Sequence, residues 1–244
     1  MYVQGTSISV IYNRIEGIKK AYYQNEHILK DYFNEASVLP VPDDAPIEIP
    51  RILISTRHDH AKLSISPVTA TLRVDYNDGF ERDWGKCSNY LQQRMSKVFE
   101  FLNLLTENNY KYIGAVSEVV YDERIKDGAA EKLSSVLLNT KKINNLYDIN
   151  IKYTFIEDER YYINLTLQNA RQFKQGLLLD VAGALSKDKQ ISEFIGVKID
   201  INDRYGFNSS DGYKSSSEVL MVILDKMDII LKEKLTNLIE KAEY

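Results

Sequence analysis

The segment Val68-Thr69-Ala70-Thr71-Leu72-Arg73-Val74-Asp75-Tyr76 decides the fold. Apolar residues stand at every even position and polar residues at every odd position between them, which is the period of a β-strand with one buried and one solvated face. Antiparallel sheets can leave one face in water, whereas parallel sheets are usually covered on both faces. The segment therefore predicts an antiparallel sheet with helices on one side only.

Similar patterns recur on both sides of this segment. Further strands are predicted at 7–15, 51–56, 61–66, 112–121, 149–155, 161–167, 177–185 and 195–201, and helices over 16–33, 83–106 and 122–139. A last helix is predicted after Ser215 and Glu218, which have the spacing of a capping box. Four of the five prolines lie in 40–50, which predicts a rigid, extended connector. The fold class is α+β, a mostly antiparallel sheet packed by long helices on one face.

The order strand, helix, several strands, long helix occurs twice along the chain. It predicts two tandem α+β halves, 1–108 and 109–244, with one continuous domain as the alternative. This order resembles the duplicated units of the TATA-binding-protein-like and helix-grip folds. A resemblance of folds does not carry a function with it.

Two stretches also resemble a known family. Pro50-Arg51-Ile52-Leu53-Ile54-Ser55 comes before the strands of 62–76, and Leu177-Leu178-Leu179-Asp180-Val181 comes before the long C-terminal helix. In this the chain resembles a sporadically distributed family of uncharacterised prokaryotic proteins of similar length. The resemblance implies a prokaryotic cytoplasmic protein and implies no activity.

The composition and the charge disfavour several classes of protein. The 244 residues include 31 Lys and Arg against 35 Asp and Glu, a net charge of −4 that disfavours a nucleic-acid binder. No apolar run approaches the roughly 20 residues that cross a bilayer, and the first residues lack the pattern of a secretory signal, so we expect a cytoplasmic protein without a membrane partner. The single cysteine, Cys87, lies on an apolar helix stripe and is interpreted as a buried residue. No cofactor motif is present, and we predict no cofactor.

His58-Asp59-His60 is the densest cluster of groups that carry protons or bind metals. In an extended segment the two imidazoles project to the same side, and a hydrolase or nuclease would combine them with a carboxylate such as Asp200 or Asp203. A metal would need further ligands, and the third histidine, His27, is distant in sequence, so we predict no metal site. The alternative interpretation is a solvated hairpin turn.

Candidate binding residues come from two regions. The loop 204–215 combines glycines, hydroxyls, aromatics and charges before a helix, without the spacing of a phosphate-binding loop, and a plain surface loop is its alternative. The solvated strand faces would form one polar surface if the strands are neighbours in a sheet, although water is the usual partner of such a face. The predicted binding residues are Arg73, Asp75, Lys152, Arg204, Ser209, Asp211 and Tyr213.

The leading hypothesis is a non-catalytic cytoplasmic binding protein that acts through a protein partner or as a homo-oligomer. It depends on the lack of catalytic motifs, the long amphipathic helices and the 17 tyrosines, a residue type enriched at interfaces. Two alternatives stay open: an enzyme using the His58-Asp59-His60 cluster, and a nucleic-acid binder using an open sheet face. The sequence does not decide whether the protein is an enzyme.

Overall fold

One antiparallel sheet of nine strands organises the part of the chain that the structure, a computed structural model, describes: residues 1–42, 44–77, 79–121, 128–140, 143, 145–173 and 190–244. The strands are β1 (Tyr2–Tyr12), β2 (Ser37–Val38), β3 (Ile52–Ser55), β4 (Ala61–Ile65), β5 (Thr69–Asp75), β6 (Tyr110–Tyr121), β7 (Asn150–Glu157), β8 (Tyr161–Phe173) and β9 (Gln190–Asn202). Their order across the sheet is β2-β3-β4-β5-β1-β6-β9-β8-β7. The predicted antiparallel sheet is confirmed.

Six α-helices in the described residues accompany the sheet. They are α1 (Ile18–Asn25), α2 (Trp84–Thr106), α3 (Ala129–Leu137), α4 (Arg204–Ser209), α5 (Val219–Ile229) and α6 (Leu235–Lys241), with a π-helical turn, Ile230–Lys234, joining the last two. The α+β class is therefore confirmed. None of the helices in the described residues is long and apolar enough to cross a lipid bilayer.

The sheet has one dry face, as the alternation in 68–76 predicts. On β5, Ala70, Leu72 and Val74 are buried, whereas Thr71 and Arg73 on the other side of the strand are not. The dry sides of the strands and the inward sides of the helices form a single hydrophobic core. Burial of each large apolar side chain in it contributes about 1.5–3 kcal/mol relative to exposure.

Apart from β2, which lies beyond β3 at one edge, the strands are arranged symmetrically about the central β1–β6 pair. Going outward, β5, β4 and β3 follow on one side, and β9, β8 and β7 follow on the other. Along the chain, α1 connects β1 to the outer strands of its side, and α2 follows those strands. In the same way α3 connects β6 to the outer strands of the other side, and α4 to α6 follow them. The division into 1–108 and 109–244 stays a prediction, since one core runs through both parts.

Helix α2 follows the sequence prediction closely. Asp83 caps its first turn by accepting a hydrogen bond from the Lys86 amide at 3.1 Å. The stripe that includes Leu91, Met95 and Leu102 is buried in the hydrophobic core. Cys87 is also buried, and burial, assisted by the nearby Asp83 carboxylate, raises the pKa of its thiol to about 12.

Two helix predictions are wrong in their details. The helix expected over 16–33 is α-helical only at Ile18–Asn25 and continues as a 3-10 turn, Glu26–Ile28. The capping box is absent, because α5 begins at Val219 with Glu218 at its N-cap and no side-chain cap. The Ser215 hydroxyl instead points into the protein and donates to Asp203.

The connector after β2 is folded around a buried arginine. Arg51, 2% exposed, donates from its guanidinium to the main-chain carbonyl oxygens of Ile49, Ala45 and Pro46 at 2.7, 3.1 and 3.4 Å. Turns therefore replace the extended course predicted for 40–50, in which Asp43 lies outside the described residues. The strand predicted at 177–185 and the start of the helix predicted over 122–139 also lie outside them.

Candidate recognition face

The side of the sheet away from the core carries polar side chains on nearly every strand, in rows that run across the strands. We call this surface the open face. Its middle row, aligned residue to residue from β3 to β7, is Ser55, Lys62, Arg73, Ser7, Val116, Asp200, Asn164 and Thr154. The rows on either side are Ser37, Leu53, Ser64, Thr71, Ser9, Gly114, Asn202, Tyr162 and Ile156, and Asp75, Gly5, Glu118, Lys198, Thr166 and Lys152. No residue of the middle row is buried.

Small side chains form the centre of the open face. Ser7 and Ser9 on β1 lie beside Val116 and Gly114 on β6. A glycine inside a strand often marks a place where another group approaches the backbone closely. Packing within the sheet also favours glycine at position 114, because a Cβ there would lie 3.0 Å from the Asn202 Cβ. In these two rows the central strands β1 and β6 therefore carry only short side chains or none.

A concavity of about 530 Å³ lies over the first-half strands of the open face. Five hydroxyl side chains line it, together with Lys62, Arg73, Glu35 and Leu53. The hydroxyls belong to Ser7, Ser37, Ser55, Ser64 and Thr71. Hydroxyls both donate and accept hydrogen bonds, so this part of the face can pair with amides, carbonyls or carboxylates of a ligand.

Arg73 anchors a charged cluster on the open face. Its guanidinium lies 3.1 Å from the Asp75 carboxylate on the same strand and 3.3 Å from Glu118 on β6. Partial burial by itself lowers the pKa of Arg73, but the two carboxylates outweigh this effect and hold it above the ordinary value. Half-exposed ion pairs contribute little stability, about 0–1 kcal/mol, so the cluster mainly fixes where these charges stand.

Asp200 belongs to a hydrogen-bonded chain across β7, β8 and β9. Its carboxylate accepts from the side-chain amides of Asn164 at 3.2 Å and Asn202 at 2.9 Å. Asn164 in turn accepts from the Thr154 hydroxyl at 2.8 Å. Asp200 is thus held as an acceptor within the sheet surface.

Three exposed lysines of the open face, Lys62, Lys152 and Lys198, form no ion pair with any described residue. With Arg73 they make four basic residues in the three rows, against the acidic residues Asp75, Glu118 and Asp200. The face is nearly balanced in charge. A polyanion such as nucleic acid selects a clearly basic surface, and this face lacks one.

The short helix α4 borders one end of the open face. The Tyr205 ring packs edge-on against Tyr162 at 5.3 Å, and Phe207 packs against Tyr112 at 5.8 Å. This places the predicted binding residue Arg204 above the Tyr112 ring, with 5.4 Å between the guanidinium carbon and the ring centre. Of the other predicted binding residues in this loop, Ser209 is exposed at the end of α4 and Asp211 is exposed in the following turn.

Tyr213, the last predicted binding residue of the loop, is held by a buried carboxylate. Asp203 is fully buried, and its Oδ2 accepts from the hydroxyls of Tyr213 and Ser215, each at 2.5 Å. Its Oδ1 accepts from the Ile113 amide at 2.6 Å, and the Tyr213 oxygen accepts from Arg160 Nε at 2.7 Å. Burial and the hydrogen bond to Asp203 raise the pKa of Tyr213. This network positions the loop, and it leaves neither Asp203 nor Tyr213 free for a ligand.

The His58-Asp59-His60 cluster occupies the turn between β3 and β4, and all three residues are exposed. The two histidines line a cavity of about 270 Å³ together with Tyr76, Phe80 and Tyr90. Asp200 lies four strands away from β4, a distance of about 19 Å at the usual strand spacing. The structure therefore does not bring the histidines together with Asp200, and Asp203 is sealed in the core.

The described residues contain no candidate metal site, and no family match points to a site. The described residues contain no group of three or more histidine, cysteine, aspartate or glutamate side chains that could hold a metal ion. No family model matches the chain, and no curated protein matches it in sequence.

Proposed function

We propose that the protein is a non-catalytic cytoplasmic binding protein that docks a protein partner on its open face. The observation that carries this proposal is the extent of the polar surface, which crosses the sheet from β2 to β7 and whose middle row has no buried residue. Nine strands spaced by ~4.8 Å span about 38 Å, and three rows about 7 Å apart are about 15–20 Å wide. The product, on the order of 600–800 Å², is close to the area that each partner contributes to a stable protein interface.

The chemistry of the face suits a polypeptide. Hydroxyls, amides and charges of both signs offer hydrogen bonds of every kind, and the exposed apolar side chains Leu53 and Ile156 stand toward its two flanks. Protein interfaces combine polar groups with apolar contacts in this manner. Lys62, Lys152 and Lys198 can pair with acidic groups on a partner without breaking any ion pair among the described residues.

Catalysis receives less support. The Asp200 carboxylate accepts hydrogen bonds from two asparagine side chains. The buried Asp203 carboxylate accepts hydrogen bonds from hydroxyl groups of the protein itself. The histidines lie in an exposed turn. General acid–base chemistry needs such groups within hydrogen-bond reach of one substrate atom. A nucleic-acid partner is disfavoured by the charge balance of the face.

A site-specific photo-cross-linking experiment tests the proposal. A photoreactive residue replaces Thr166, which stands between Lys152 and Lys198 on the open face, and in a second protein it replaces Lys241, exposed on α6. In the native host we expect an adduct from position 166 that is digested by protease and resists nuclease. The position on α6 should give no such adduct.

A charge reversal provides the matched control. The double change Lys62→Glu, Lys198→Glu should abolish the adduct from position 166, while Lys241→Glu, a reversal on the helical side, should leave it unchanged. The proposal is overturned if position 166 gives no adduct, if the adduct is nuclease-sensitive, or if reversal on α6 has the same effect as reversal on the open face.

A further inference from the structure

Strand β7 is an unusually open sheet edge. It hydrogen-bonds to β8 on one side, and none of the described strands lies on the other. Its eight residues, Asn150–Glu157, contain no proline and pair with β8 without a register shift. Natural proteins blunt exposed edges with prolines, bulges, very short strands or charges, because free main-chain groups recruit further strands. Of these devices β7 has only charged residues, Lys152 within the strand and Glu157 at its end.

The ladder to β8 shows which main-chain groups of β7 are free. The Asn169 amide donates to the Ile149 carbonyl at 3.4 Å, so these two residues face each other as a hydrogen-bonded pair. Pairs of this kind alternate along an antiparallel ladder, so 151, 153 and 155 also point their main chain toward β8. The amides and carbonyls of 150, 152, 154 and 156 therefore point outward, and no described residue bonds to them.

An apolar row accompanies the open edge. Ile151, Tyr153 and Phe155 lie on the dry side of β7 and are only half-buried, whereas their counterparts on β8 are fully buried. The Tyr153 and Phe155 rings stack at 6.2 Å, and Tyr244 stacks on Phe155 at 4.0 Å. A strand added beside β7 would cover the exposed flank of this row.

We propose that β7 pairs antiparallel with β7 of a second copy, with Tyr153 on the two-fold axis, so that the two nine-stranded sheets become continuous. This pairing concerns the sheet edge and does not rest on the function proposed for the open face, although Lys152 and Thr154 belong to both surfaces. In this register Ile151 faces Phe155 of the second copy on the dry side, and Lys152 faces Thr154 on the open side. The outward amides and carbonyls of both strands then pair with each other.

Charge favours this register over the neighbouring registers of a β7 pair. A shift that places residue 152 on the axis brings two lysines opposite each other, which is unfavourable. A shift that places residue 154 on the axis sets Ile151 opposite Glu157 on the dry side. In the proposed register the only like charges that meet are Asp148 and Asp158 at the ends, and Asp158 is already neutralised by Lys226 at 2.8 Å.

Single-cysteine variants test the register directly. Tyr153→Cys should form a disulfide-linked dimer under mild oxidation, because facing residues of a non-hydrogen-bonded pair have Cα atoms about 4.5 Å apart, within disulfide range. Lys152→Cys and Thr154→Cys should cross-link far more weakly, since each lies about 7 Å or more from its own copy. Cys87 adds little background because burial raises its pKa to about 12. Preferential cross-linking at 152 or 154, or at none of the three, overturns the proposal.

Two variants that introduce opposite charges at position 154 test whether β7 forms the proposed dimer. Sedimentation equilibrium should show a wild-type dimer that Thr154→Lys weakens and Thr154→Glu strengthens, because each change sets two new charges opposite the two copies of Lys152. Cross-strand pairs of this kind should change the dissociation constant by about twofold to thirtyfold in opposite directions. Thr154 is exposed, so both variants should fold. A wild-type monomer, or the same response to both charges, contradicts the proposal.

Discussion

The guanidinium of Arg73 on β5 reaches the carboxylate of Glu118 on β6 at 3.3 Å although β1 lies between the two strands. The residue of β1 between them is Gly5, paired with Asp75 on one side and Glu118 on the other. A side chain at this position would stand where the arginine crosses. The glycine thus lets one charged cluster span three strands at the centre of the open face.

Gly5→Ala should destabilise the protein by about 1–3 kcal/mol, the usual effect of forcing an extra methyl into a packed position. Its Cβ would lie 2.9 Å from the main-chain oxygen of Val74, an atom that cannot move without shifting the sheet. Urea denaturation measures the loss. Gly196→Ala is the matched control, because there the nearest neighbours are 3.6 Å away, and it should be neutral or slightly stabilising. Equal effects of the two changes would contradict this account.

Asp203→Asn should cost at least about 2–4 kcal/mol of unfolding free energy, because hydrogen bonds to a buried carboxylate are worth about 1.5–3 kcal/mol each. An amide nitrogen at Oδ2 would face the hydroxyl donors of Tyr213 and Ser215, and a flipped amide would face the Ile113 amide. Asp211→Asn, at an exposed position of the same loop, should change stability by less than about 0.5 kcal/mol. A loss below about 1 kcal/mol for Asp203→Asn would mean that the network is not structural.

Glu157 should make the protein sensitive to acid. Burial raises the pKa of its carboxyl, but the hydrogen bonds from Lys226 and Lys234 outweigh burial and hold it below the ordinary value of 4.5. A carboxylate of this kind stabilises the folded state fully above its unfolded pKa, and the contribution is lost as the pH falls through the native pKa.

The free energy of unfolding, measured between about pH 3 and 5, should therefore fall less steeply with acid in Glu157→Gln than in the wild type. Glu159→Gln, exposed in the adjoining turn, is the control and should follow the wild type. An unchanged slope in Glu157→Gln would show that the two lysines do not hold this carboxylate in solution.

Local patterns in the sequence predicted those parts of the fold that depend on backbone period. The alternation in 68–76 identified the two faces of β5, and the apolar stripe with Asp83 before it identified α2 within a residue. Alternation in 68–76 and in 149–155 placed Arg73, Asp75 and Lys152 on the solvated sides of their strands, which lie in one sheet. These features are local, because a strand or helix repeats its geometry wherever it packs.

Contacts between residues that are far apart in the sequence could not be predicted from these local patterns. The spacing of Ser215 and Glu218 indicates a capping box, but a carboxylate at the end of β9 takes the serine hydroxyl. Arg51 resembles the first residue of a strand in the sequence, and only the folded connector provides the carbonyls that bury it. Nor does any local signal place β1 beside β6.

The central position of β1 has a consequence for biosynthesis. This strand leaves the ribosome before both of its neighbours, which come from much later in the chain, in β5 and β6. The β1 segment around Ile8 and Val10 has both edges paired only after Ile113 and Ala115 of β6 have emerged from the ribosome. Such non-local pairing gives a high contact order and slow folding. During synthesis the nascent chain therefore exposes an aggregation-prone segment that chaperones can shield until the second half emerges.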